Sequence, residues 1–403
     1  MSLLGLPLLL ALSGALVGAL GATVVCWDRW PGSWAWPARV LGLLLVMVLP
    51  VAVAGDAVNR YYGFYTSWRE LVSSPSDVRP TAIAQSSHQQ VPGAVLAEGV
   101  ADAAQGRGTM IPWTLAGPRS GIIRGGYVYL PAAYFDKTRP AERFPVIEML
   151  HGYTGSPRTW LGALPMASIL NQEIAAGRLP PVIAVAPAEY DHNDGECVNA
   201  VGGEQNETYL AQDVPSDLDA AFRTATAPAS WATLGFSTGG FCAVNMALHN
   251  PNRYRAAASL SGYFTAITDN TTGDLYHGNE ATRLYNSPQW FVTHHPVRPS
   301  LYVFASSGDA DPYAQVKPFA AAVPGDADLT VVTVPVGGHN TTVWKAALPP
   351  AVDWLGQRLP APTDAALTER GSSIVPAPPG TSVTPRSPTG VTALRPISGR
   401  RWP

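Results

Sequence analysis

Cysteine is scarce in this chain, with three in 403 residues. That excludes a disulfide-dense miniature fold and any four-cysteine zinc site. Charge is scarce too. Asp, Glu, Lys and Arg make up 14% of the residues, against roughly 25% in an ordinary soluble protein. The net charge of −3 leaves no basic field for nucleic acid. No internal repeat is found. What the chain does have is 12 Trp, 15 Tyr and 10 Phe, which argues against wholesale disorder. Gly and Pro number 38 each, so turns and linkers are plentiful.

The missing charge is concentrated at the start. Residues 1–27 contain no charged side chain, and Leu3 to Val25 is almost all Leu, Ala, Gly and Val. About 20 apolar residues at 1.5 Å rise span a bilayer core. A cleaved signal peptide needs a basic n-region and a shorter apolar stretch, and neither is seen. A second apolar run lies between Arg39 and Asp56 and contains Pro50, which membrane helices tolerate. Trp30, Trp34 and Trp36 in the connector fit an interfacial belt. Arg29 and Arg39 also fall there, so the positive-inside rule places the connector in the cytoplasm. Two spans then return the chain to the outer side. The expectation is a multi-pass cell-membrane protein, partnered by the lipid bilayer, with everything after about Tyr61 extracytoplasmic.

Residues 59–115 read as a juxtamembrane segment and linker. From there to residue 358, short apolar runs alternate with helical stretches. Strands are expected in GYVYLP, PVIEML, VIAVAP, WATLGF, AAASLSG, LYVFASSG and LTVVTVPV. Helices are expected around Ser168–Ala176, over 213–223 and 240–250, and over Thr342–Arg358, where Pro349 and Pro350 invite a break. This alternation implies a mainly parallel sheet flanked by helices. Residues 359–403 are rich in Pro, Ser, Thr and Gly, lack apolar periodicity, and read as a disordered tail.

Within that α/β segment, Gly235-Phe236-Ser237-Thr238-Gly239 is a G-x-S-x-G at a strand-to-helix junction. That context exposes a serine hydroxyl at the sheet edge on a tight turn. A serine attacks only when a base takes its proton. In the chain order Ser, acid, His, the candidates are Ser237, then Asp309 or Asp311, then His339 behind Gly337-Gly338. All follow strands, where open sheets place their sites. An oxyanion hole needs two convergent N–H donors. Thr238 supplies one, and Tyr153 in His151-Gly152-Tyr153-Thr154-Gly155 supplies the other.

YVYLP, HGYTG, GFSTGG and GGHN, in this order, resemble the esterase D and mycolyltransferase-like branch of the α/β-hydrolases. The likeness covers roughly residues 115–358. With the two N-terminal spans it resembles membrane-anchored esterases of actinobacteria. It implies an α/β-hydrolase fold over 116–358, an acyl-ester substrate, a serine acyl-enzyme and no cofactor or metal. In that pattern the acid stands three residues after a glycine, so Gly308 selects Asp311 over Asp309. Three functions follow: a serine carboxylesterase, an acyltransferase onto envelope glycans or glycolipids, or an envelope-binding module that has lost its chemistry. HGYTG and GFSTGG look more like the general esterases than the mycolyltransferases.

The same fold bears on the cysteines. Cys197 follows VIAVAP, and Cys242 lies on the helix that Ser237 opens. Loops after neighbouring central strands converge, so the two form a disulfide or are two unrelated cysteines. Closing a loop of that length is worth ~4 kcal/mol by chain-entropy reasoning. Glu189, Asp191, His192, Asp194 and Glu196 crowd one loop, read as solvated rather than cation-binding. His294-His295 lacks a third metal ligand, and Glu148 reads as structural. Asn206, Asn270 and Asn340 head glycosylation-type sequons, which matter only in a eukaryotic secretory setting.

Overall fold

The computed structural model describes residues 6–29, 32–62, 93–227 and 229–364. Trp30, most of the linker and the tail beyond 364 lie outside the described residues. Two N-terminal helices, Leu6–Cys26 and Ala35–Tyr62, are long and apolar enough to cross a membrane. Pro50 sits inside the second without ending it. In the connector Arg39 pairs with Asp28 at 3.2 Å and donates to the Trp27 carbonyl at 2.8 Å.

The remainder is built on one sheet. Its strands are β1 (Thr109–Ala116), β2 (Ile123–Leu130), β4 (Val146–Leu150), β5 (Ile183–Pro187), β6 (Trp231–Phe236), β7 (Tyr254–Leu260), β8 (Ser300–Ser306) and β9 (Leu329–Val334). Two short strands, β3 (Glu142–Arg143) and β10 (Thr363–Asp364), pair separately. The sheet order is β1-β2-β5-β4-β6-β7-β8-β9. From β5 to β9 all neighbours are parallel, and β1 and β2 form an antiparallel edge. This is the α/β-hydrolase arrangement expected from the sequence. The boundary at 116 needs correction: β1 runs over 109–116 and pairs along its length with β2, so the sheet begins inside the supposed linker.

Strand side chains alternate between faces, and that period separates two cores. Val146, Leu150, Trp231, Ala257, Leu301 and Val303 pack on one side. Ile147, Met149, Leu234, Phe236, Ala258 and Phe304 pack on the other, against helices 166–175 and 341–356. Buried on both faces, the central strands read as continuous apolar runs. The last helix passes through Pro349 and Pro350, contrary to the expected break. Trp344, Leu348, Ala351, Val352 and Leu355 are buried along it, and that packing outweighs two lost backbone bonds.

Candidate active site

Strand β6 ends at Phe236 and the next helix starts at Thr238, leaving Ser237 alone to make the turn. It does so at φ 56°, ψ −128°, a strained conformation for a residue with a β-carbon. The chain closes this tightly because Gly235 has no side chain: a β-carbon there would lie 1.9 Å from the Gly239 carbonyl oxygen. The Ser237 N–H donates to Leu260 O at 2.9 Å, which ties the turn to β7.

His339 lies between β9 and the last helix. Asn340 caps that helix, accepting from the N–H groups of Thr342 and Val343 at 3.1 and 3.2 Å. His339 Nε2 is 2.7 Å from Ser237 Oγ, and its Nδ1 is 2.7 Å from Asp309 Oδ2. A carboxylate only accepts. Nδ1 therefore carries the hydrogen, and Nε2 is free to accept from the serine hydroxyl. Trp344 meets the imidazole edge-on at 4.9 Å.

The choice of Asp311 is corrected here: the partner of His339 is Asp309. The loop after β8 is laced to the loop after β9 by Ser306 Oγ donating to Gly337 O and Ser307 Oγ donating to Pro335 O, both at 2.7 Å. That lacing delivers Asp309, at the mouth of the helix Ala310–Ala322, to His339. Asp309 is buried, whereas Asp311 lies in the first helical turn, exposed.

On the other side of Ser237, a β-carbon on Gly152 would come within 2.8 Å of the Ser237 β-carbon. This close approach brings the Gly152–Tyr153 peptide to the serine. Neither the Tyr153 nor the Thr238 N–H is committed to a bond within the protein among the described residues. The Tyr190 hydroxyl pins the loop by donating to Gly155 O at 2.8 Å and Gly152 O at 3.2 Å. Beside it opens a cavity of about 350 Å³ walled by Tyr127, Tyr153, Tyr190, Arg158 and His192.

Of the acidic-loop residues expected to be solvated, only Asp191 and His192 are exposed. Glu189, Asp194 and Glu196 are buried. Cys197 and Cys242 are joined, with Cα atoms 5.5 Å apart. Glu196 accepts from Tyr263 and Tyr276 hydroxyls at 2.8 and 3.0 Å. His294 and His295 stack on Trp290 and Phe291, a packing role. Asn206 accepts from buried Arg124 at 2.7 Å, which commits this sequon to the interior.

Burial pushes Glu148 and Glu196 up to about 8 and His151 down to about 4. The Tyr254 hydroxyl donates to Glu148 at 2.7 Å without offsetting that cost. In the unfolded chain both glutamates ionise near 4.5, so between there and about 8 the folded state holds more protons. Stability therefore falls as pH rises, by up to ~1.4 kcal/mol per pH unit per group. His151 acts oppositely, binding its proton in the unfolded state below 6.5 but not in the fold until about 4. The steepest loss is thus expected between pH 6.5 and 8. Glu148→Gln keeps an acceptor for Tyr254 and should flatten this slope and raise stability at pH 8. Urea unfolding of detergent-solubilised protein from pH 5 to 9 measures it, and an unchanged slope refutes it.

An α/β-hydrolase sheet with a serine on the strand-to-helix elbow, a histidine within hydrogen-bond reach and a carboxylate behind it defines the serine hydrolase class. The chain belongs to the esterase family: the family described as "Putative esterase" matches residues 121–355. An uncharacterized protein of Corynebacterium glutamicum is 26% identical over 247 residues, covering 58% of this chain and 57% of its own length. The MPT51/MPB51 antigen of Mycobacterium bovis is 25% identical over 158 residues, 34% of this chain and 52% of the antigen. The chain thus spans little more than half the length of these relatives. Among solved structures, an S-formylglutathione hydrolase from Agrobacterium tumefaciens superposes with a TM-score of 0.54 at 17% identity, over 63% of this chain and 97% of that one. At that identity the likeness establishes the fold.

Proposed function

We propose that this protein is a membrane-anchored, extracytoplasmic serine carboxylesterase that works through an acyl-enzyme on Ser237. The observation that carries the reading is the relay Ser237–His339–Asp309, with both contacts at 2.7 Å. His339 Nε2 takes the hydroxyl proton as Oγ attacks the ester carbonyl. The N–H groups of Thr238 and Tyr153 receive the developing oxyanion. His339 then protonates the leaving alkoxide, and water repeats the sequence to release the acid. Asp309 holds the imidazole tautomer and offsets its charge. The tyrosine-walled cavity beside Tyr153 takes a substrate group flanking the ester.

One experiment tests chemistry and placement together. A membrane-impermeant fluorophosphonate applied to intact cells should label the protein in the membrane fraction, at the peptide containing Ser237. Labelling only after lysis would put the domain on the cytoplasmic side. A lysate in which the folded protein takes no label would end the serine reading, since only an activated serine reacts.

A further inference from the structure

We infer that the loop Glu189–Cys197, buried at Glu189 and again from Asp194 to Cys197, is a brace that positions both halves of the oxyanion hole, with Asp194 acting through the Thr238 hydroxyl and Glu189 through the His151 N–H. The inference rests on Ser237 being the nucleophile, and it adds positioning residues to that reading.

Thr238 combines two roles in one residue. Its N–H is one of the two donors assigned above to the oxyanion, and its hydroxyl donates to Asp194 Oδ2 at 2.8 Å. Asp194 is itself fixed on two further sides. Its Oδ1 accepts the Glu196 N–H at 3.0 Å, and its own N–H donates to Thr271 O at 3.1 Å. The first residue of a helix has no partner for its N–H within the helix, so the helix does not fix that group's direction by its own bonds. Anchoring the Thr238 side chain to an immobile carboxylate supplies that constraint.

The second half hangs from the same loop. Glu189 accepts the N–H of His151, the residue that opens the loop carrying Tyr153. The two anchors are therefore parts of one body. That body is tied to the nucleophile-bearing helix through the Cys197–Cys242 bond. It is tied to the far side through Glu196, which accepts from Tyr263, Tyr276 and the Ile267 N–H. Glu196 and Cys197 both sit at positive φ, 45° and 51°, strain that only a heavily bonded segment sustains. Burial raises the pKa of both Asp194 and Glu189. A loop that only filled space would be served better by apolar side chains. Donors pointed at a developing charge are effective in proportion to how little they reorganise, and a common brace fixes their separation.

The test uses the full-length protein in detergent, with p-nitrophenyl acetate as substrate. Thr238→Val keeps the shape and the N–H but removes the hydroxyl. It should lower kcat roughly ten-fold with KM within about two-fold, since the loss falls on the transition state. Inhibition by a trifluoromethyl ketone, which presents an oxyanion, should weaken by the same factor. A purely structural defect has no reason to follow that proportion. Thr238→Ser should recover most of the rate. Asp194→Asn, which turns an amide NH₂ toward the Thr238 hydroxyl where the acceptor stood, should show the same pattern in milder form, and the double variant should lose no more than the worse single, because both alter one contact. Wild-type kcat in Thr238→Val, or losses that multiply in the double variant, would overturn the inference. If Thr238→Val does not fold, Asp194→Asn decides by the same two readouts. Turnover persisting in Ser237→Ala would instead overturn the nucleophile assignment on which all of this rests.

Discussion

Ser237→Ala should abolish hydrolysis of p-nitrophenyl acyl esters, with an expected loss in kcat on the order of 10⁶-fold. The size follows from chemistry: without Oγ there is no covalent intermediate, and His339 and Asp309 have nothing to activate. What survives is the rate supplied by binding and the oxyanion donors alone. The substitution leaves the elbow intact, because alanine keeps the β-carbon at φ 56° and the Ser237 N–H bond to Leu260 is a backbone bond. Ser237→Gly serves as an internal control. Glycine adopts positive φ without penalty, so this variant should be equally inactive yet melt higher than Ser237→Ala. Activity in either variant above about one per cent of wild type would remove Ser237 from the mechanism, since triad losses are far larger.

The parts of the site that the sequence made legible are those that depend on local backbone geometry. An elbow that admits a serine at positive φ demands glycine two residues before it, and Gly235 shows why at 1.9 Å. The approach of Gly152 to Ser237 imposes the same kind of demand on the loop after β4. Strands buried on both faces announce themselves as unbroken apolar runs, so the sheet was readable from β4 to β8, and the half-exposed β9 was readable from its β-branched run Val331-Val332-Thr333-Val334. The antiparallel edge was less so. β1 contains Pro112 and shows an alternating burial pattern, and only its pairing with β2 makes it a strand. The disulfide followed from where the fold sends two loops, and the structure brings the cysteines together.

What the sequence concealed is tertiary. Glu189, Asp194 and Glu196 lie in a segment whose composition is that of an exposed loop. Their partners come from far along the chain: Thr238 lies 44 residues from Asp194, and Tyr263 and Tyr276 lie 67 and 80 residues from Glu196. Each carboxyl is individually costly to bury, and each is satisfied by a donor that no local pattern reveals. The one local hint is the run of acids leading up to Cys197, whose bond to Cys242 ties the loop to the helix that begins at Thr238.

The acid of the relay is the sharpest case, and it carries the other large effect. Counting three residues from Gly308 selects Asp311, but the count ignores where the helix begins. Asp309 precedes the helix Ala310–Ala322, while Asp311 is already inside its first turn and faces solvent. Asp309→Asn should therefore lower kcat by roughly 10³- to 10⁴-fold, the scale seen when a triad acid loses its charge. The asparagine amide turns its NH₂ toward His339 Nδ1, which then has to accept. Nε2 carries the hydrogen in that tautomer and no longer takes the proton from Ser237. Asp311→Asn touches none of this and should keep kcat within about two-fold of wild type, as surface substitutions usually do. Both variants should fold, since Asp309 lies in a loop whose lacing runs through Ser306 and Ser307 and not through its carboxylate. Steady-state kinetics on the pair decides between the two aspartates. A large loss in Asp311→Asn with Asp309→Asn active would return the role to the residue that the glycine count selects.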